Sequence, residues 1–179
     1  MKFLETALPG VIIVEPDVFR DTRGFFLETF HARKYRENGI PFDFVQDNQS
    51  KSVQGTLRGL HAQRVRPQGK LVRAIRGEIF DVAVDIRPGS KTFGQHVSAV
   101  LSGDNFRQIF VPPGYAHGFC VTSETAEVEY KCTDFYDKTD EIGARWDTAG
   151  IQWPISQPLI SPKDAALPRL SDLRKLLEP

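Results

Sequence analysis

Proton chemistry near neutral pH needs a side chain that can take a proton, one that can give it back, and a charge that holds the first in place. His61, His117, Tyr130 and Asp164 are the residues whose types and settings meet those needs. His61 lies in the apolar stretch Gly55-Thr56-Leu57-Arg58-Gly59-Leu60-His61-Ala62-Gln63. Imidazole, with an unperturbed pKa of about 6.5, suits general base work, although a strand histidine is more often a hydrogen-bonded core or surface group. Arg58 and His61 are three residues apart, so strict alternation sends them to opposite faces; Gly59 between them permits a bulge that re-aims one side chain. Tyr130 shares a strand face with Val128 and Cys132, while Glu127, Glu129 and Lys131 alternate outward. An inward phenol reads either as a core tyrosine with a satisfied hydroxyl or as a proton donor to carbon. Asp164 also has two readings, a first-turn carboxylate stabilising its helix or the carboxylate that orients a catalytic histidine. Arg23, Arg58, Lys70, Arg73 and Lys163 would ordinarily be solvated charges, but a few of them converging at one mouth would suit a diphosphate.

The elements that must position these groups are mostly strands. Segments rich in Val, Ile, Phe and Thr recur between turn clusters such as Arg87-Pro88-Gly89-Ser90, Ser102-Gly103-Asp104-Asn105 and Pro112-Pro113-Gly114, the spacing of an antiparallel sandwich or barrel. About ten strands are marked by this pattern. The clearest, Ile79 to Ile86, places Phe80, Val82, Val84 and Ile86 on one face and Asp81, Ala83 and Asp85 on the other, which predicts a strand buried on one side. Helical signals are confined to His31 to Asn38 and two short tail segments, Ser161 to Ala166 and Ser171 to Leu177, with Ser161 as an N-cap and Pro162 at the first helical position. The expected architecture is all-β with a short helical C-terminal tail, in one domain spanning 1–179. Closing the sheets into a sandwich or jelly roll hides strand edges and leaves an interior mouth for a small ligand.

Composition narrows the classes of function. At 179 residues, 40% hydrophobic with 13 Phe, the chain can bury a dense core. Its 23 Lys+Arg against 23 Asp+Glu leave no basic excess for nucleic acid or an anionic membrane, so any anionic ligand must be met locally. Cys120 and Cys132 read as free thiols, and the absence of a signal-like or spanning apolar run makes the cytoplasm the expected location.

The Gly55 to Gln63 block, G-x5-H-x-Q, and Pro112 to His117, P-x-G-x-x-H, resemble the two motifs of the cupin superfamily, whose metal-binding members carry H-x-H and a following Glu. Gln63 stands where the second His would be, and Pro67 and Gln68 stand where the Glu would be, so a cupin-like cavity without a catalytic metal is expected. Seven ordered blocks extend the resemblance over nearly the whole chain: Asp21-Thr22-Arg23-Gly24-Phe25-Phe26, Val45-Gln46-Asp47-Asn48, Leu57-Arg58-Gly59-Leu60-His61, Gln68-Gly69-Lys70-Leu71-Val72-Arg73, Phe80-Asp81-Val82-Ala83-Val84-Asp85, Ala116-His117-Gly118-Phe119 and Lys163-Asp164-Ala165-Ala166. Together they resemble the dTDP-4-dehydrorhamnose 3,5-epimerase family.

That resemblance implies a cupin-type jelly roll, a homodimer and a cofactor-free isomerase acting on dTDP-4-dehydro-6-deoxy-D-glucose on the route to dTDP-rhamnose. It implies His61 as base, Tyr130 as acid and Asp164 as the carboxylate paired with the base. Lys70 joins the catalytic group as a candidate for stabilising an enolate; Arg58 could share that role, or either could bind diphosphate. Arg23, Phe26, Glu28, Gln46, Asn48, Arg58, Lys70, His117, Glu141 and Lys163 are implied as substrate contacts, with Tyr136 stacking on thymine. Ala62 stands where many members carry an aromatic, which would either widen the pocket or face the core. Related epimerases that invert a single carbon share most of these blocks, and a non-catalytic nucleotide-sugar binding module is the rival from another class.

Overall fold

Antiparallel pairing joins nearly all the strands of the computed structural model, which describes residues 1–177. In chain order the elements are β1 (Lys2–Glu5), β2 (Ile12–Glu15), β3 (Val18–Asp21), β4 (Gly24–Leu27), α1 (Ala32–Glu37), β5 (Gln46–Val53), β6 (Thr56–Gln63), β7 (Lys70–Arg76), β8 (Glu78–Asp85), β9 (His96–Ser102), β10 (Gln108–Val111), β11 (Tyr115–Val121), β12 (Thr125–Cys132), β13 (Glu141–Gly143), β14 (Leu159–Ile160), α2 (Pro162–Ala165) and α3 (Leu170–Leu177). One sheet has the order β1-β2-β10-β7-β12-β5; the other has β13-β6-β11-β8-β9, with β14 added parallel to β6. The two form the expected cupin-type jelly roll, and β3-β4 stands apart as a two-stranded hairpin. Strands beyond the ten expected include pieces such as β13 and β14, too short for alternation to register.

The interior changes character along its length. On β7 the inward positions run Lys70, Val72, Ala74, and on the paired β12 they run Cys132, Tyr130, Val128, Ala126. Val72, Ala74, Ala126 and Val128 join Ile79, Leu101, Ile109 and Val121 in an apolar plug. At the other end the wall turns polar, and there the sandwich stays open.

Strand β8 corrects the expectation of one buried side. Its Val82 and Val84, with Ile86 just past its end, pack outward beneath Leu170 and Leu173 of α3, with Phe80 and Trp153 against them. Its Asp81 and Asp85 face inward and are 0% exposed. A strand covered on its outer face by the tail has no wet side, and its carboxylates survive burial because they are paired. Asp85 takes Arg87 Nη2 at 2.7 Å, Ser90 Oγ at 2.6 Å and Thr92 Oγ1 at 2.6 Å.

The three helical segments form where local signals place them. His31 and Asn38 flank α1, whose Tyr35 is buried against Phe110 and Leu71. Ser161 caps α2, its Oγ accepting from the Asp164 N–H at 3.0 Å, with Pro162 in the first turn. The bulge permitted by Gly59 is present: His117 pairs with His61 and Phe119 with Arg58, so three steps on β6 oppose two on β11. Gly59 sits at φ +130°, and a Cβ there would lie 2.6 Å from Gly118 Cα, so only glycine fits where the two strands cross closest.

Candidate active site

The open end of the sandwich holds a cavity of about 440 Å³ bounded by both sheets and by α2. From the β6–β11 sheet come Arg58, His61, His117 and Glu141; from the β7–β12 sheet come Lys70 and Tyr130; α2 adds Lys163 and Asp164. A second lobe of about 280 Å³ shares His61, Lys70, Tyr130, Tyr136 and Glu141 with the first and adds Gln46 and Asn48.

His61 Nε2 lies 2.7 Å from Asp164 Oδ1, and Asp164 Oδ2 accepts the Gly59 N–H at 3.2 Å. Both readings of Asp164 therefore hold at once: its N–H completes the α2 cap while its carboxylate grips His61. Burial by itself would raise the Asp164 carboxyl, but the His61 hydrogen bond and charge and the Gly59 N–H outweigh it and hold the group below the usual carboxylate range. An ionised carboxylate only accepts, so Nε2 donates in this bond and Nδ1 is the ring nitrogen left for proton transfer.

A second pair of the same kind, absent from the sequence-based candidates, joins His117 Nε2 to Asp81 Oδ2 at 2.8 Å, with the Asp81 side chain 0% exposed. Alternation placed Asp81 on one face of its strand without saying that the face was dry. A carboxylate directly before the apolar run Val82-Ala83-Val84 was the available signal.

Across the gap, burial lifts the Tyr130 phenol above its ordinary value, and Cys132 and Glu141 add to the effect against an opposing pull from Arg58, so the hydroxyl stays protonated at neutral pH. Burial also lowers the Lys70 ammonium below the usual lysine range, with Cys132, Glu141 and Asp81 opposing the shift. Lys70 makes no ion pair within 4.0 Å among the described residues, which leaves its charge available to a ligand.

At the rim, Glu141 Oε2 accepts Lys163 Nζ at 2.6 Å and the Tyr136 hydroxyl at 2.5 Å. Tyr136 is 50% exposed, its ring open to stacking, and its N–H is held by Gln46 Oε1 at 2.9 Å. Gln46 Nε2 in turn donates to Asn48 Oδ1 at 3.0 Å. Among the described residues Arg58 is anchored only through Nε, to Ser52 Oγ at 3.1 Å, which leaves the rest of its guanidinium to meet an anion.

Not every candidate reaches the cavity. Arg23, Phe26 and Glu28 lie on or beside the β3–β4 hairpin, with Arg23 paired to Asp21 at 2.6 Å and Glu28 to Lys34 at 2.7 Å. Arg73 is turned to Glu129. Gln63 is committed to the backbone: Nε2 donates to the carbonyls of Arg66 and Phe135, and Oε1 accepts the Asp137 N–H. Ala62 packs with the apolar layer under the tail and touches only the second lobe. Among the described residues no three His, Cys, Asp or Glu side chains are grouped to hold a metal ion.

A family model described as dTDP-4-dehydrorhamnose 3,5-epimerase matches residues 5–172. The chain is 51% identical over 168 residues to dTDP-4-dehydrorhamnose 3,5-epimerase of Methanothermobacter thermautotrophicus, with 91% of each chain covered. It is 52% identical over 169 residues to the enzyme of that name from Shigella flexneri, covering 92% of this chain and 93% of the other. Among solved structures it is similar to a 3,5-epimerase of Legionella pneumophila in complex with dTDP-4-keto-L-rhamnose, at 48% identity, TM-score 0.92 and 96% coverage of each chain.

The lowered Asp164 carboxyl sets a pH dependence. A group whose native pKa lies below its unfolded value stabilises the fold fully above the unfolded value, about 3.9 for Asp, and loses that effect as pH falls through the native value. Urea unfolding of wild type and Asp164→Asn should show a stability gap at pH 5 that closes as pH falls below about 4. A gap that persists unchanged below about pH 2 contradicts the ionised carboxylate.

Proposed function

The chain belongs to the dTDP-4-dehydrorhamnose 3,5-epimerase family, and on that premise we propose that it inverts C3 and C5 of dTDP-4-dehydro-6-deoxy-D-glucose to give dTDP-4-dehydro-L-rhamnose. The observation that carries this reading is the placement of His61 and Asp164 on one wall and of Tyr130 and Lys70 on the facing one. A binding module has no need of a base and an acid set against each other.

The 4-keto group acidifies the hydrogens on both neighbouring carbons, because the electron pair left by either C–H bond can move onto the carbonyl oxygen. His61 Nδ1 takes the proton, and the Asp164 carboxylate stabilises the imidazolium that forms. Lys70 supplies charge to the developing enolate oxygen from a partly dehydrated position, where it is worth more than in water. The Tyr130 hydroxyl then delivers a proton to the carbon from the opposite face as the electron pair returns. Proton exchange with solvent restores both groups, and the sugar undergoes no net oxidation or reduction. The keto group is itself the electron sink, so the reading includes no cofactor.

Arg58, His117 and Lys163 suit the diphosphate, the exposed Tyr136 ring suits thymine, and Gln46 and Asn48 suit polar atoms of the nucleoside. Lys163 must exchange part of its bond to Glu141 for the ligand. A cytoplasmic location fits a water-soluble nucleotide sugar.

The hairpin completes the reading by way of a homodimer. Phe19, Phe25 and Phe26 are 64%, 54% and 70% exposed on a two-stranded element that joins neither sheet. Such a ribbon is marginal alone, and an apolar patch of this kind marks an association surface. A second copy that covers it would receive Arg23, Phe26 and Glu28 at its own cavity.

Two measurements test these claims. Proton NMR in D2O should show deuterium entering at C3 and C5 with wild type, and His61→Asn should slow both by roughly 10² to 10⁴ while dTDP still binds; normal exchange at either carbon would require another base. Sedimentation equilibrium should give twice the chain mass, with Phe26→Asp shifting the mass to one chain and lowering activity. A fully active wild-type monomer contradicts the dimer.

A further inference from the structure

Gln63 ends β6, is buried, and has no part in the proton transfers. Its amide reaches the loop between β12 and β13: Nε2 donates to the Phe135 carbonyl at 3.3 Å and Oε1 accepts the Asp137 N–H at 2.8 Å. Those two residues flank Tyr136, so a single side chain holds the backbone on both sides of the ring that suits thymine. A further bond from Nε2 to the Arg66 carbonyl at 2.8 Å fixes the amide itself. The loop has no apolar anchor of its own. No residue from Thr133 to Asp140 is buried, and Phe135 and Tyr136 are both exposed. Its position therefore comes from polar contacts, to which Gln68 adds a bond to the Asp134 carbonyl at 2.7 Å and Gln46 one to the Tyr136 N–H at 2.9 Å.

Resting on the nucleotide-sugar reading, we propose that Gln63 is a positioning residue for nucleotide binding, which acts through Tyr136 by setting its ring beside the second lobe. Register supports the link. Gln63 pairs with Glu141 across β6 and β13, and Glu141 Oε2 accepts the Tyr136 hydroxyl at 2.5 Å. One cross-strand pair thus fixes both ends of the tyrosine, the backbone through Gln63 and the phenol through Glu141. A ring held at both ends gives up little freedom when a base stacks on it, and such preorganisation shows as affinity. Without the amide, the Phe135 carbonyl and the Asp137 N–H would need water as partners, and the loop that carries the ring would follow them outward.

Calorimetric titration with dTDP of wild type, Gln63→Met, Tyr136→Ala and the double variant tests this. Gln63→Met keeps length and volume while removing the hydrogen bonds. Each single variant should bind roughly tenfold more weakly, in line with the loss of one base–aromatic stack. The double variant should bind no more weakly than Tyr136→Ala, because Gln63 acts through that ring. With the sugar nucleotide, Gln63→Met should raise KM by a similar factor and leave kcat within about twofold. Equal dTDP affinity in wild type and Gln63→Met overturns the proposal, as do additive losses in the double variant or a fall in kcat with KM unchanged. Gln63→Ala replaces Gln63→Met should the latter not fold; failure of both to fold assigns the residue to the sheet and overturns the proposal as well. Wild-type dTDP affinity in Tyr136→Ala removes the stacking contact, and the proposal with it, without touching the proton chemistry. Failure of the wild type to bind dTDP overturns the nucleotide-sugar reading itself.

Discussion

The gap between two facing sheets is the constraint on which this site depends. Packed sheets stand about 10 Å apart, and side chains normally fill that space. Here the apolar plug of Val72, Ile79, Leu101 and Val128 keeps the sheets at a fixed separation at one end. At the other end, smaller or polar inward residues leave room for a sugar ring. His61 belongs to β6 and Tyr130 to β12, in different sheets, so a ring lying between them would meet an imidazole on one face and a phenol on the other. Inversion needs that geometry, and a site built on one strand or one sheet would not provide it.

The tail adds what the sheets cannot. Asp164 approaches from α2, is nearly dry, and reaches His61 and the Gly59 N–H together. The same short helix carries Lys163 to the rim, so its cap at Ser161 positions a carboxylate inside and a cation outside. Folding of the tail onto β8 through Leu170 and Leu173 is thus coupled to orientation of the His61 ring.

The sequence was most legible where one residue's chemistry decides a local conformation. Gly59 between Arg58 and His61 pointed to the bulge, and Ser161-Pro162 pointed to the cap; both are present. The family resemblance named His61, Tyr130, Asp164 and Lys70, and the fold brings these four to one cavity. Alternation failed where it had to choose between solvent and interior. Asp81 and Asp85 looked like the outer face of β8, but the tail covers the opposite face and their partners come from β11 and the following loop. Arg23, Phe26 and Glu28, which the resemblance implies as substrate contacts, lie on or beside a hairpin that joins neither sheet and do not line this chain's cavity.

The account stands most directly on Tyr130 delivering a proton to the face opposite His61. Tyr130→Phe removes the hydroxyl and keeps the ring's packing, so circular dichroism should match wild type. In D2O, with proton NMR following each carbon, the folded variant should still exchange deuterium at C5, because His61 can return a deuteron to the face it left. Inversion at C5 should fall far behind exchange. Undiminished C5 inversion in folded Tyr130→Phe would contradict the account.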